Sequence, residues 1–431
     1  MHIDRIEAKS ILDTRGRPTI ETTLFSGALE ATASVPSGKS TGSHEALELR
    51  DADDSVAQAI KNVNDEIATA IIGRDFNSLD ELDDFLISLD GTPNKSRLGA
   101  NAILSVSIAA MRLSALQENM PLWEAIAKRA GTTPSSPRLF VNVMNGGAHV
   151  HPAVALPRPF VASGEEGAKG DGFPLPFQEY LLVVEGKTSE TFPLAQELFT
   201  KLGEVLRKSD FLSNCGSLTS SGDVPMGDEG GYAPTFDTLE KPFEILASLI
   251  AGQPNVSVAI DAAASELFHD GAYQLLDKSY SAEELTTIYG SITGKYSLHS
   301  IEDPFAENAP DDFAQLTTSL GGKILIIGDD LTVTNPMRII EAAKDKEINA
   351  VIIKPNQIGT VKEALEAVRA TYAAGFKAVA SHRSGETNDT FIADFAYGIG
   401  AHGLKAGGFV QPERLVKYER LLAIEREAET R

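Results

Sequence analysis

Polar residues with chemical potential recur at the ends of short apolar runs: Asp261 after SVAI, Glu302 after SLHSI, Asp329 after ILIIG, Lys354 after AVII, His382 with Arg383 after KAVAS, and Lys405 after GL. Brought to one place, Asp261, Glu302 and Asp329 offer three hard oxygen ligands, a set that suits Mg²⁺ with positions left for water and substrate. Any one of these carboxylates reads equally well as the cap of a following helix; three in series do not. Lys354 and Lys405 beside such a cation are expected to lose a proton readily, which fits Lys354 for a neutral base near physiological pH. A base of that kind takes a proton from carbon next to a carboxylate. Departure of a hydroxyl from the neighbouring carbon then needs an acid on the opposite side, and Glu229 and Glu179 are candidates for it. Arg383, with its fork of donors, and Lys405 are suited to holding phosphate and carboxylate.

The elements that must position these groups follow from the same runs. Ala350-Val351-Ile352-Ile353 is apolar on every side chain, so it has no wet face and suits a parallel strand covered by helices, with Pro355 and Gly359 ending it. Separations of 23 to 41 residues between the polar endings each hold a strand, a helix and two short loops. That is the rhythm of a (β/α)8 barrel, whose chemistry gathers at the carboxyl ends of its strands. Gln178-Glu179 ahead of the apolar LLVV reads as part of another barrel strand, and Asp228-Glu229 stand between glycines in a turn.

Upstream, Ile3 to Leu12, Pro18 to Phe25 and Leu29 to Val35 read as an antiparallel meander broken at Gly16 and Gly27. The Ser/Gly-rich loop VPSGKSTGSHEALELRD follows. Its Gly38-Lys39-Ser40-Thr41 is not a phosphate loop, because Ala33 stands where that motif needs its first glycine. Apolar residues at helical spacing predict helices ending at Gly73 and Gly91, and the Ala, Ser and Leu of Ala100 to Gln117 predict a helix buried at close range. Pro134 and Pro137 place a linker over Thr132 to Pro137, between an N-terminal α+β domain (1–134) and a barrel domain (138–431). Five prolines and four glycines without a period mark residues 150–177 as a lid or insertion.

Composition narrows the function classes. The 431 residues, 42% hydrophobic, support a full core, and 38 basic against 61 acidic residues give a net charge of −23. That balance argues against nucleic-acid and anionic-membrane surfaces, so an anionic substrate has to be drawn in locally. Cys215 is the single cysteine, the N-terminus lacks the apolar core of a signal peptide, and no run of about 18 apolar residues stands out as a bilayer span. The expected compartment is the cytoplasm.

Across nearly the whole chain, VPSGKSTGSHEALELRD, LDGTPNKSRLGANAILSVSIA, NVMNGGAH, GDEGGYAP, SIEDPFAE, GDDLTVTNP, KPNQIGT and SHRSGETNDTFIADFA resemble the enolase family. The resemblance implies an α/β fold, an N-terminal α+β domain followed by an enolase-type (β/α)8 barrel, and interconversion of 2-phosphoglycerate and phosphoenolpyruvate with two Mg²⁺ ions. Lys354 would be the base at C2, and Glu229, with Glu179 beside it, the acid at the C3 hydroxyl. Asp261, Glu302 and Asp329 would hold the first metal and Ser40 the second. Arg383 and Ser384 would contact the phosphate, Lys405, Gln178 and His382 the rest of the substrate, and His149 would close over the site. A homo-oligomer, dimer or octamer, is also implied.

Some positions depart from the family pattern. Residues 150–177 replace a much shorter lid, SGKS adds Lys39 where the family writes SGAS, and KAGGFVQPER places Ala406 and Gln411 where the family has threonine and arginine. These departures motivate two other readings: a related lyase or racemase acting on another carboxylate, and a binding protein that keeps the fold.

Overall fold

Three strands open the chain, β1 (Arg5–Leu12), β2 (Pro18–Ser26) and β3 (Leu29–Ser34), paired antiparallel in that order. Gly27, at φ 57, turns β2 into β3 in a left-handed conformation that glycine adopts at no steric cost. On β2 the period of two sends Ile20, Thr22 and Leu24 inward, where the Thr22 hydroxyl is paired with Ser105 at 2.7 Å. Ser105 belongs to the helix Ala100–Gln117, which is buried on nearly every side. By length and composition this helix could cross a bilayer, which corrects the expectation that no such run exists; 83% of it is buried inside the fold. Its alanines and serines let it pack close between the meander and the barrel. The fold is seen in a computed structural model that describes residues 1–39, 42–150, 173–208, 223–236 and 238–431, so Ser40, Cys215 and most of the insertion at 150–177 lie outside the described residues.

Eight strands close into the barrel: β4 (Arg138–Asn145), β5 (Glu179–Val184), β6 (Val256–Asp261), β7 (Leu298–Glu302), β8 (Leu325–Gly328), β9 (Ala350–Ile353), β10 (Lys377–Ser381) and β11 (Gly403–Lys405). The ring runs β7-β8-β9-β10-β11-β4-β5-β6. Phe140, Leu181, Val183, Ala259, Ile327, Ala350, Ile352 and Val379 fill its interior as an apolar plug, so the barrel is a packed core and not a pore. One strand runs against the rest: β5 is antiparallel to both β4 and β6.

The meander domain is fastened to the barrel by buried polar contacts. Arg112 meets Asp389 through two bonds of 2.7 Å, and Lys95 meets Glu363 at 3.0 Å. Asp83 accepts from the Ser107 hydroxyl and from the Lys362 N–H, both at 2.9 Å, and so satisfies a free donor in the first turn of the barrel helix Val361–Ala373. At the barrel's other end, His299 on β7 and His402 before β11 stack with Nε2 atoms 3.0 Å apart, while Arg138 lies 3.3 Å from Nδ1 of His402. Burial first, then the Arg138 charge, pushes both imidazoles down, His299 to about 4 and His402 to about 3.

Candidate active site

Register carries the acidic groups to one level. Asn145 pairs with Glu179, Glu179 with Asp261, and Asp261 with Glu302. Because β5 runs backwards, its first residue reaches the rim that the other strands reach with their last. Gln178 and Glu179 therefore join a set otherwise drawn from strand carboxyl ends. Asp329 and Lys354 each follow their strand by one residue, and His382 follows β10.

One cavity is lined by His149, Gln178, Glu179, Glu229, Asp261, Asp329, Lys354, His382, Arg383, Ser384 and Lys405, which are all predicted site residues. Glu302 lies buried beneath it, bound by Lys405. The Lys405 ammonium is the hub: 3.0 Å from Asp261 Oδ2, 2.9 Å from Glu302 Oε2 and 3.1 Å from Glu179 Oε2. Burial would lower this lysine, but Asp261, Glu179 and Glu302 outweigh it and hold the group well above its ordinary range.

Lys354 donates to Asp329 Oδ2, whose other oxygen accepts from Gln357 Nε2 at 2.9 Å. Burial lowers Lys354, but the Asp329 carboxylate outweighs it and holds the ammonium above its usual range.

Opposite, Glu179 and Glu229 form a coupled pair. Burial, then the charge of Glu229, pushes Glu179 well above the usual carboxyl range. In Glu229 burial is outweighed by His149, His382 and the hydrogen bond from Glu179, which hold it well below the usual carboxyl range. His382 Nε2 lies 3.3 Å from Glu229 Oε2, and Asn142 Nδ2 donates to the same oxygen at 3.3 Å. Arg414 donates to Nδ1 of His382, which leaves the ring proton on Nε2, facing Glu229. Burial, with Arg414 adding to it, pushes His382 down to about 4. His149 Nδ1 stands 3.6 Å from Glu179 and 3.7 Å from Glu229.

Arg383 is held by Glu45 through bonds of 2.8 and 3.2 Å and by Asn356 at 3.1 Å. Ser384 is reached by Arg15 at 3.5 Å. Glu45, Arg15 and Arg414 were not singled out from the sequence. Glu45 and Arg414 stand inside the quoted stretches SHEALELRD and KAGGFVQPER, so the stretches marked them, but only tertiary contact gives them a role.

The site has more buried negative charge than its two ammonium groups answer. Asp303, Asp329 and Asp330 have carboxylate oxygens within 4.8 Å of one another, a tighter cluster than the expected trio of Asp261, Glu302 and Asp329. Burial and then Asp261 push Glu302 well above its range, and burial and then Asp329 push Asp330 to about 8. An all-oxygen donor set under that electrostatic load fits a hard divalent cation. Among the described residues, Gln178 Oε1 is buried without a hydrogen-bond partner at the cavity wall, as suits an atom that meets a ligand.

The comparisons agree with this geometry. The family model described as enolase, N-terminal domain, matches residues 3–126, and that of enolase, C-terminal TIM barrel domain, matches residues 135–431. The enolase of Campylobacter jejuni subsp. doylei is 41% identical over 99% of this chain and 98% of its own length. The enolase of Campylobacter jejuni subsp. jejuni serotype O:23/36 is 40% identical over the same shares. A barrel with one reversed strand, a rim of opposed acids and lysines, and likeness running from one end of the chain to the other lead to one conclusion: this chain belongs to the enolase family.

Proposed function

We propose that the chain is a phosphopyruvate hydratase, a hydro-lyase of glycolysis that reversibly dehydrates 2-phosphoglycerate to phosphoenolpyruvate. The observation that carries this reading is the placement of base and acid. Lys354 after β9 and the pair Glu179 and Glu229, with Glu179 on β5, stand four strands apart in an eight-strand ring, facing one cavity. Dehydration across C2 and C3 needs groups on opposite faces. The Lys354 amine takes the C2 proton, and the electron pair is held first in the enediolate of the substrate carboxylate. As the C2–C3 double bond forms, the C3–O bond breaks and the hydroxyl leaves as water with a proton delivered by Glu229, which takes it up from the neighbouring Glu179 carboxyl.

Arg383 and Ser384 face the phosphate, Lys405 and Gln178 the remaining oxygens, and His382 with His149 steadies the acid pair. In our reading the divalent ion is Mg²⁺, two per site; Asp261, Glu302 and Asp329 would hold the first, which would supply positive charge for the dianionic carboxylate. Asp329 cannot serve a cation and the Lys354 ammonium equally. With its charge drawn away, Lys354 gives up its proton more easily. Ser40 keeps its part toward the second ion on resemblance alone.

A cytoplasmic location and homo-oligomeric assembly complete the proposal. The net charge of −23 supports the absence of nucleic-acid and membrane partners. Leu12, 65% exposed, and Leu116, 49% exposed, border a groove between β1 and the helix Ala100–Gln117, which supports assembly. The test is incubation with 2-phosphoglycerate and Mg²⁺ while following the absorbance of phosphoenolpyruvate. Turnover supports the reading, and no product at high enzyme concentration overturns it.

A further inference from the structure

We infer that Lys39, a residue of the N-terminal domain, is a positioning residue for Glu229 that acts through Asp228. The inference rests on Glu229 being the acid of the proposed reaction. Lys39 Nζ lies 2.7 Å from Asp228 Oδ2, with the two side chains 35% and 19% exposed. Its segment is anchored two residues earlier, where Ser37 and Gly385 exchange backbone bonds of 2.8 and 2.9 Å.

Asp228 is the joint on which several elements meet. Its N–H donates to the His149 carbonyl at 2.9 Å, and its own carbonyl accepts from Arg414 Nη2 at 3.0 Å and Gln411 Nε2 at 3.2 Å. The turn continues through Gly227 N–H to the Gly231 carbonyl at 2.8 Å and Gly231 N–H to Asn145 Oδ1 at 2.9 Å. At Gly227 and Gly231 an added side chain would force its neighbours to shift. A Cβ on Gly227 would lie 2.4 Å from Asn145, and one on Gly231 2.7 Å from Asn142. The barrel therefore fixes the back of the turn, and the ammonium of Lys39 fixes the carboxylate at its front. Glu229 is the next residue along. A peptide gripped from both domains holds its carboxyl in line with Glu179 and His382.

The magnitude is bounded by exposure. A half-exposed pair changes a rate by roughly 2–5-fold and is weakened by salt. The experiment compares Lys39→Met, Asp228→Asn, their double variant and Lys39→Arg. It measures kcat and KM for 2-phosphoglycerate at about 0.05 and about 1 M salt, where screening lengths differ severalfold, and amide hydrogen exchange at Gly227, Gly230 and Gly231. Expected are a roughly 2–5-fold fall in kcat for each single variant at low salt with KM nearly unchanged, no further loss in the double, and recovery in Lys39→Arg. The gap to the parent closes at high salt, and exchange at the three glycines quickens in both single variants. Additive losses in the double, a change confined to KM, or unchanged glycine exchange overturns the inference. Should the parent fail to turn over 2-phosphoglycerate, the proposed reaction falls, and the exchange measurements still decide whether Lys39 holds the turn.

Discussion

Replacing Lys405 by methionine tests the electrostatic account of the site most directly, because the unbranched thioether fills much of the same volume without charge. The ammonium meets Asp261, Glu302 and Glu179 at 3.0, 2.9 and 3.1 Å, and all four side chains are almost fully buried. With an effective dielectric constant of about 20, a contact with an ionised partner carries a gross attraction of about 5 kcal/mol. Desolvation of the ammonium cancels most of that sum in the parent. In the variant the carboxylates stay buried and lose their cation, a situation that costs about 3–5 kcal/mol. Thermal melts in the presence of a chelator should show the variant several degrees below the parent. Added Mg²⁺ should then restore part of the loss, since a ligand at a hundredfold its Kd stabilises by about 2.7 kcal/mol. A variant that melts with the parent in chelator and ignores Mg²⁺ would refute the argument, since the carboxylates would then not be held as anions around that ammonium.

Lys354→Met should lower kcat by about 10²–10⁴-fold, the range for a lost general base, while 2-phosphoglycerate still binds in a direct titration; loss of binding with the chemistry intact would reverse the assignment. The pair His299 and His402 predicts an acid-limb effect. The fold keeps both rings neutral down to about 4 and about 3, whereas the unfolded chain takes up protons below about 6.5, so this pair removes stability as pH falls from about 6.5 toward 4. The double variant His299→Gln/His402→Gln should lose stability less steeply than the parent across that window; identical slopes in urea melts from pH 7 to 4 would count against it.

The sequence made the rim legible because a buried run followed by a charged residue has few meanings: Asp261, Glu302, Asp329, Lys354 and Lys405 all arrive at the mouth that such runs imply. The direction of β5 was not legible. Its six residues are buried on both faces, and a strand of that kind reads the same forwards and backwards. The stretch 57–71 shows helical spacing, yet Asn62–Ile67 is a π-helix, held where the Asn62 amide donates to the Leu98 carbonyl at 2.9 Å. Arg414, Glu45 and Asp303 escaped because their roles depend on partners far away in sequence or on a turn. Asp303 accepts the N–H groups of Asp329 and Asp330 at 2.9 and 2.8 Å, a role invisible beside the more conspicuous Glu302. The partner of Lys354 escaped for a related reason: spacing brought cations together but could not say that Asp329 meets the ammonium.

The reversed strand has a consequence for how this molecule can vary. Asn145 and Glu179 are register partners, so the chain leaves the rim after β4 and comes back to the same rim at β5. The two described ends of the interval between them therefore lie at one rim, beside the reacting groups. Lengthening a detour is thermodynamically cheap, about 0.6 kcal/mol for each doubling. An interval whose two ends share one rim can thus change in length while the eight-strand ring keeps its register.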